Sequence, residues 1–221
     1  MTSPTLVLDL DGTLADTIRD LIPALNRTTA SLGLEPIHMT EVGHVVGHGA
    51  KAMIQKAFDF HNKALSNDML EKLFEHFLVD YEKNICVDTV LFDGVIESLS
   101  DFQNDGWNLA VCTNKHDSLA VELLKELDIF DRFAAVTGGN TFEFRKPDPA
   151  HILKTIELAG GQTDNAIMVG DSITDISAAK AGNVPVVAVD FGYSETPVRE
   201  LSPDRVISHY SELKSAAVEL L

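Results

Sequence analysis

The chain has 221 residues, 45% of them hydrophobic and 23% charged, enough to bury a full core as one domain with a large insertion or as two modest domains. Seventeen Lys and Arg stand against 34 Asp and Glu, a formal charge of −17. Such a surface repels nucleic acid and anionic membranes, so neither is expected as a partner, and an anionic substrate must be met by positive charge supplied locally. No apolar run approaches the roughly 18 residues of a membrane helix. The opening Met1-Thr2-Ser3-Pro4 has no basic stretch leading into an apolar one, and Cys86 and Cys112 form no CxxC pair, so a leaderless chain in the reducing cytoplasm is expected.

Thr5 to Asp9 is predicted as a strand, with Leu6-Val7-Leu8 as its buried run. It leads into Asp9-Leu10-Asp11-Gly12-Thr13-Leu14-Ala15. Carboxylates two positions apart on an extended backbone project to the same side, and like charges at the mouth of a buried strand are costly unless a cation sits between them. That pattern points to a nucleophilic carboxylate, a second carboxylate beside it and a divalent metal; taken alone, the stretch also reads as a solvated Asp-Gly turn. From Asp16 the period becomes helical, with Ile18, Leu21, Ile22 and Leu25 on one face and Gly33 at the end. Residues 40–59 predict two shorter helices broken at Gly47-His48-Gly49, and Ser66 to Asn84 is strongly amphipathic. A helical insertion over 16–86 therefore separates the first strand from a core made of 1–15 and 87–221.

The remainder alternates: helix 97–105, strand 107–113, helix 116–127, strand 133–137, helix 149–159, strand 166–169, helix 173–181, strand 184–189, a short strand at 205–207 and a terminal helix. Strands alternating with helices predict an α/β fold, a Rossmann-like parallel sheet covered on both faces, with ligands at the carboxyl ends of its strands. The chemistry-bearing fragments fall there. Asp9 and Asp11 follow the first strand, Thr113-Asn114-Lys115 the second, Lys146 lies in Phe144-Arg145-Lys146-Pro147, and Gly170-Asp171-Ser172 follow a later strand with Asp175 one helical turn on.

These four fragments, in this order and over essentially the whole chain, resemble the motifs of the haloacid dehalogenase-like superfamily of phosphotransferases, and the helical block sits where that superfamily places a four-helix cap. The resemblance implies a phosphatase that passes through an aspartyl-phosphate. Asp9 suits the nucleophile and Asp11 the general acid and base. Magnesium would be held by Asp9, the main-chain carbonyl of Asp11 and Asp171. Thr113, Asn114, Lys146 and the backbone N–H of Gly12 would hold the phosphoryl oxygens, and Asp175 would orient Lys146 or a metal-bound water. Members that cleave carbon–halogen bonds or phosphonates lack the acid found here at Asp11, so phosphate esters are favoured.

The substrate is a matter for the cap. Val46-Gly47-His48-Gly49-Ala50-Lys51 resembles the cap loop of the phosphoglycolate phosphatases, with further similarity in Gly138-Gly139-Asn140-Thr141 and Phe191-Gly192-Tyr193. Asn140, where an acid is usual, and Asp93, where proline is common, depart from that pattern. Gly47 and Gly49 would let backbone approach a small ligand, and His48 or Lys51 could pair with a substrate carboxylate; Gly-His-Gly also reads as a plain helix–helix turn. The expected partner is a small phosphorylated metabolite, foremost 2-phosphoglycolate. A sugar-phosphate phosphatase, a pyrophosphatase or a phosphomutase are the alternatives, with a non-catalytic phospho-ligand module behind them. Oligomeric state is not legible. The other histidines show no ligand-like spacing.

Overall fold

The computed structural model describes residues 3–221; Met1 and Thr2, which open the stretch read above for a leader, lie outside the described residues. In chain order come β1 (Thr5–Leu8), a two-residue β2 (Ala15–Asp16), then α1 (Ile18–Ala30), α2 (Met39–Val42), α3 (Ala50–Phe60) and α4 (Asn67–Lys83). After β3 (Val90–Leu91) the chain continues through α5 (Val95–Asn104), β4 (Asn108–Cys112), α6 (Asp117–Glu126), β5 (Ala135–Thr137) and α7 (Pro149–Leu158). It ends with β6 (Ala166–Gly170), α8 (Ile173–Ala181), β7 (Val186–Val189), β8 (Arg205–Ile207) and α9 (Leu213–Val218).

Six strands make one parallel sheet in the order β5-β4-β1-β6-β7-β8. Its strands are apolar on both faces, as a doubly covered sheet requires. Leu6 and Leu8 pack with Leu109, Val111, Ile167 and Val169, beneath α5, α6 and α9. Val7 packs with Ala110, Cys112 and Met168, beneath α7 and α8. Leu8 is in register with Val111 and Val169, so the residues leaving β1, β4 and β6 emerge at one edge. Strand order reverses beside β1: the chain builds outward to β4 and β5, then returns to β6 on the other side. A crevice at that reversal is where an open α/β sheet receives its ligand.

Local signals explain most element ends. Ser66 caps α4, accepting from the Met69 N–H at 3.3 Å. Asp148 caps α7, with Pro149 in the first turn, where its missing N–H costs nothing. Ser172 and Asp175 form a capping box on α8. Two features differ from the sequence reading. The first strand stops at Leu8, because the Leu10 carbonyl collects the N–H groups of Thr13, Leu14 and Ala15 in a tight turn. The break at Gly47-His48-Gly49 is the end of a 3-10 stretch over Gly43–His48 that follows α2.

The helical insertion leaves the sheet through β2 and returns through β3, which pair antiparallel, Ala15 with Leu91 and Asp16 with Val90. A ribbon this short carries no periodicity and was invisible in the sequence. Leu21, Leu25, Met53, Ile54, Phe77 and Tyr81 of the insertion belong to the same apolar cluster as one sheet face. Buried Asp20 pins the returning chain: its carboxylate accepts from the N–H groups of Val87 (3.0 Å), Asp88 (3.0 Å) and Thr89 (2.8 Å) and from the Thr89 hydroxyl (2.7 Å).

Candidate active site

Asp9 continues directly from β1, held by its N–H to the Val169 carbonyl at 2.9 Å, and is 3% exposed. Lys146, 2% exposed, reaches it from the loop after β5. All three ammonium protons of Lys146 are committed: to Asp9 Oδ1 (2.8 Å), Asp175 Oδ1 (2.6 Å) and the Cys112 carbonyl (2.6 Å). Burial pulls against its charge, but Asp175 and Asp9 outweigh that and hold its pKa above the usual lysine range. The other Asp175 oxygen accepts from the Ser172 N–H and hydroxyl. Asp175 is thus spent on α8's capping box and on orienting Lys146.

Asp171 follows β6 and takes the Tyr193 N–H at 2.7 Å and the Thr13 hydroxyl at 3.2 Å. A Cβ at Gly12 would sit 2.5 Å from Asp171 Oδ2, and Gly12 is at φ +81°, so only glycine admits the carboxylate there. Burial, then neighbouring carboxylates, push Asp171 well above the normal carboxyl range. Burial likewise lifts Asp9 to about 7 against the opposing pull of Lys146.

Oxygens of Asp9, Asp171 and Asp175 lie within 4.8 Å of one another. Three buried carboxylates face one ammonium, which leaves uncompensated negative charge and hard oxygen donors, the chemistry a magnesium-sized cation fits. With Asp175 already engaged, Asp9 and Asp171 are the side chains available for it.

Asp11 goes elsewhere. Its Oδ1 accepts from Lys115 Nζ at 2.9 Å, and the same ammonium donates to the Tyr81 hydroxyl of α4 at 3.0 Å. Each aspartate has an ammonium of its own: the tight turn at Leu10 sends Asp9 to Lys146 and Asp11 to Lys115. Lys115 was noted in the sequence only as part of Thr113-Asn114-Lys115, and Tyr81 fell unremarked within the amphipathic stretch Ser66 to Asn84. Position immediately after Thr113 was the one available signal for Lys115; nothing local marked Tyr81.

Thr113 is 1% exposed at the end of β4, its hydroxyl accepting from the Lys115 N–H at 3.2 Å. Asn114 lies beside it, but its carboxamide donates to the carbonyls of Gly47 (2.9 Å) and Lys146 (3.0 Å). Both side-chain N–H groups are therefore committed to bracing the helical insertion and the Lys146 loop. Gly47 meets the core closely, since a Cβ there would be 3.0 Å from Ser172 Cβ. Gly49, at φ +89°, turns the chain into α3.

A cavity of about 330 Å³ opens beside Asp11, between α3, α4 and the loops after β4 and β5. Gly49, Lys51, Tyr81, Asn114, Lys115 and Arg145 are on its wall. His48 is exposed and is not among the lining residues. Lys51 lines it, but its ammonium is bound by both Glu71 oxygens at 2.7 and 2.6 Å and lies over the Phe74 ring. Of the residues singled out in the cap loop, none brings an unpaired charge to this cavity.

The chain that brings these carboxylates and lysines to one sheet edge has parallels among known proteins. The model of the haloacid dehalogenase-like hydrolases matches residues 6–189. The chain belongs to that family. It is 46% identical to the phosphoglycolate phosphatase of Agrobacterium fabrum, over 99% of this chain and 94% of that one. It is 37% identical to the phosphoglycolate phosphatase of Caulobacter vibrioides, over 98% and 92% respectively. The crystal structure of a predicted phosphoglycolate phosphatase from Haemophilus somnus 129pt superposes with a TM-score of 0.90 at 27% identity, covering 97% of this chain and 98% of that one. No helix among the described residues is long and apolar enough to cross a membrane.

Proposed function

We propose that this chain is a magnesium-dependent phosphatase that hydrolyses 2-phosphoglycolate to glycolate and phosphate. The observation that carries the chemistry is Asp9 held by Lys146 at the crevice, next to Asp171 and two residues before Asp11. The full-length likeness to phosphoglycolate phosphatases supports the substrate.

In this reading the Asp9 carboxylate attacks phosphorus, forming an acyl phosphate as the bond to the ester oxygen breaks. Asp11 gives a proton to the departing alkoxide, then takes one from the water that hydrolyses the aspartyl-phosphate. The Thr113 hydroxyl meets a phosphoryl oxygen as charge shifts, and the Lys146 ammonium, held by Asp9, Asp175 and the Cys112 carbonyl, supplies positive charge beside it, whereas the Gly12 N–H expected to join them is taken by the Ala15 carbonyl at 2.9 Å. Asp9, the Asp11 main-chain carbonyl and Asp171 would hold magnesium, which when bound would supply charge neutralisation at the phosphoryl group. The insertion over 16–86 acts as the cap that excludes bulk water. Gly47 and Gly49 shape its loop, Asn114 fastens it to the core, and Lys51, tied to Glu71, lines its inner wall.

Phosphate release from a panel of esters at fixed magnesium tests this reading. Turnover of 2-phosphoglycolate above glycerol phosphates, sugar phosphates and pyrophosphate is expected. Absence of magnesium-dependent release from every member would overturn it. Asp9→Asn should lower turnover by at least about a thousandfold, with an unchanged circular dichroism spectrum; retained activity would remove Asp9 as nucleophile.

A further inference from the structure

We propose that Lys115, together with Arg145, forms the subsite for the carboxylate of the substrate's leaving group, and so sets selectivity for phosphorylated 2-hydroxy acids. This rests on the phosphatase reading above and goes beyond it by assigning the specificity to the core, on residues outside the cap loop.

Three long cationic side chains line the cavity beside Asp11: Lys51, Lys115 and Arg145. Glu71 already answers Lys51 through both oxygens. The Arg145 guanidinium has no hydrogen-bond or ion-pair partner among the described residues, and it borders Gly49, whose Cβ position is 3.8 Å from Nη1. Lys115 is 7% exposed and uses two of its three N–H donors, on Asp11 and Tyr81, leaving one for a ligand. Met53, Phe77 and Leu119 add apolar wall, and a charge-assisted bond is strongest where water is excluded.

The distances select the ligand class. Asp11 must reach the ester oxygen to protonate it, and Lys115 Nζ is 2.9 Å from Asp11. In a phosphorylated 2-hydroxy acid a single carbon separates that ester oxygen from the carboxylate, so the carboxylate falls beside the ammonium. A group without an acceptor there leaves a buried N–H donor of Lys115 unpaired, and a neutral alcohol offers it only a weaker, uncharged acceptor, which is how a charged site discriminates against an analogue. Tyr81 holds the ammonium from the insertion side, so the subsite is complete only with α4 in place.

The test compares 2-phosphoglycolate with 2-hydroxyethyl phosphate, in which a neutral alcohol replaces the carboxylate. Lys115→Met should lower kcat/KM for 2-phosphoglycolate about 10- to 100-fold more than for 2-hydroxyethyl phosphate, chiefly through KM, with partial recovery in Lys115→Arg. Equal losses on both esters would overturn the subsite, because Lys115 would then act only on Asp11. Should Lys115→Met fail to fold, Arg145→Gln at its exposed position gives the same readout: a selective rise in KM for 2-phosphoglycolate supports the subsite, and no selective change overturns it. Wild-type protein that releases no phosphate from 2-phosphoglycolate overturns the substrate reading itself, whereas wild-type turnover with unselective variants overturns this subsite alone.

Discussion

His151 shows how burial alone reshapes a side chain. It lies on α7 with no exposure, its ring edge-on to Phe142 at 5.9 Å, and neither ring nitrogen has a hydrogen-bond partner among the described residues. Burial first, and the nearby Lys146 charge second, push its pKa down from 6.5 to about 4. The folded imidazole therefore stays neutral at pH values where the unfolded one takes up a proton. Unfolding binds protons throughout that window, so stability falls as pH drops from 6.5 towards 4. Between pH 7 and 5 this amounts to about 2 kcal/mol. His151→Phe should flatten that part of the profile, shrinking the difference in Tm between pH 7 and 5 by several degrees; an unchanged difference would mean another group titrates. The sequence offered only a histidine without ligand spacing. The ring's isolation is a property of the neighbours that α7 and the loop at Phe142 bring to it.

At the scale of elements, the connections to the insertion carry the least sequence signal and a high concentration of long-range bonds. Asp20 sits one residue from the apolar stripe of α1, where an acidic side chain reads as a first-turn charge favoured by the helix dipole. In the fold it gathers three backbone N–H groups and a hydroxyl from residues 87–89. Asp20→Ala should cost about 3 kcal/mol, since it strands buried donors, with faster proteolysis near residues 86–90. Asp20→Asn, which keeps one acceptor, should recover part of the loss. Equal urea midpoints for wild type and Asp20→Ala would show that water replaces the carboxylate. Regular elements were legible because their periods are local: α8 begins and ends as its sequence predicts, and α4 lies between Ser66 and Asn84. The 3-10 stretch over Gly43–His48 was not, because its geometry follows from docking Gly47 on Asn114 and Ser172.

Over the whole molecule, the formal charge of −17 is matched by a local excess of acid at the sheet edge, where Asp9, Asp11, Asp171 and Asp175 face Lys115 and Lys146. The raised pKa values of Asp9 and Asp171 mean that the metal-free fold retains protons the unfolded chain releases. The contribution of these two groups to stability is then fully present below about pH 4 and is lost as pH rises through about 7, the value for Asp9. In the proposed function magnesium would bind the deprotonated pair and so compete with those protons. The rise in Tm on adding millimolar magnesium should be larger at pH 8 than at pH 5.5 and should vanish in Asp171→Asn. Equal increments at both pH values would place the cation elsewhere.

The amino-acid sequence alone determined the alternating α/β architecture, the helical insertion and the identity of Asp9, Asp11, Thr113, Lys146 and Asp171 as a set, because strand period, helix caps and motif order are written in neighbouring residues. Tertiary structure decided the partners. The pairing of Asp11 with Lys115 spans 104 residues, and that of Lys115 with Tyr81 spans 34. Asn114 braces the insertion, Lys51 is neutralised by Glu71, and Asp175 is committed to Lys146 and Ser172. Which cation remains open to a substrate depends on how many donors its neighbours have already taken, and that is settled only when elements distant in sequence are packed against one another.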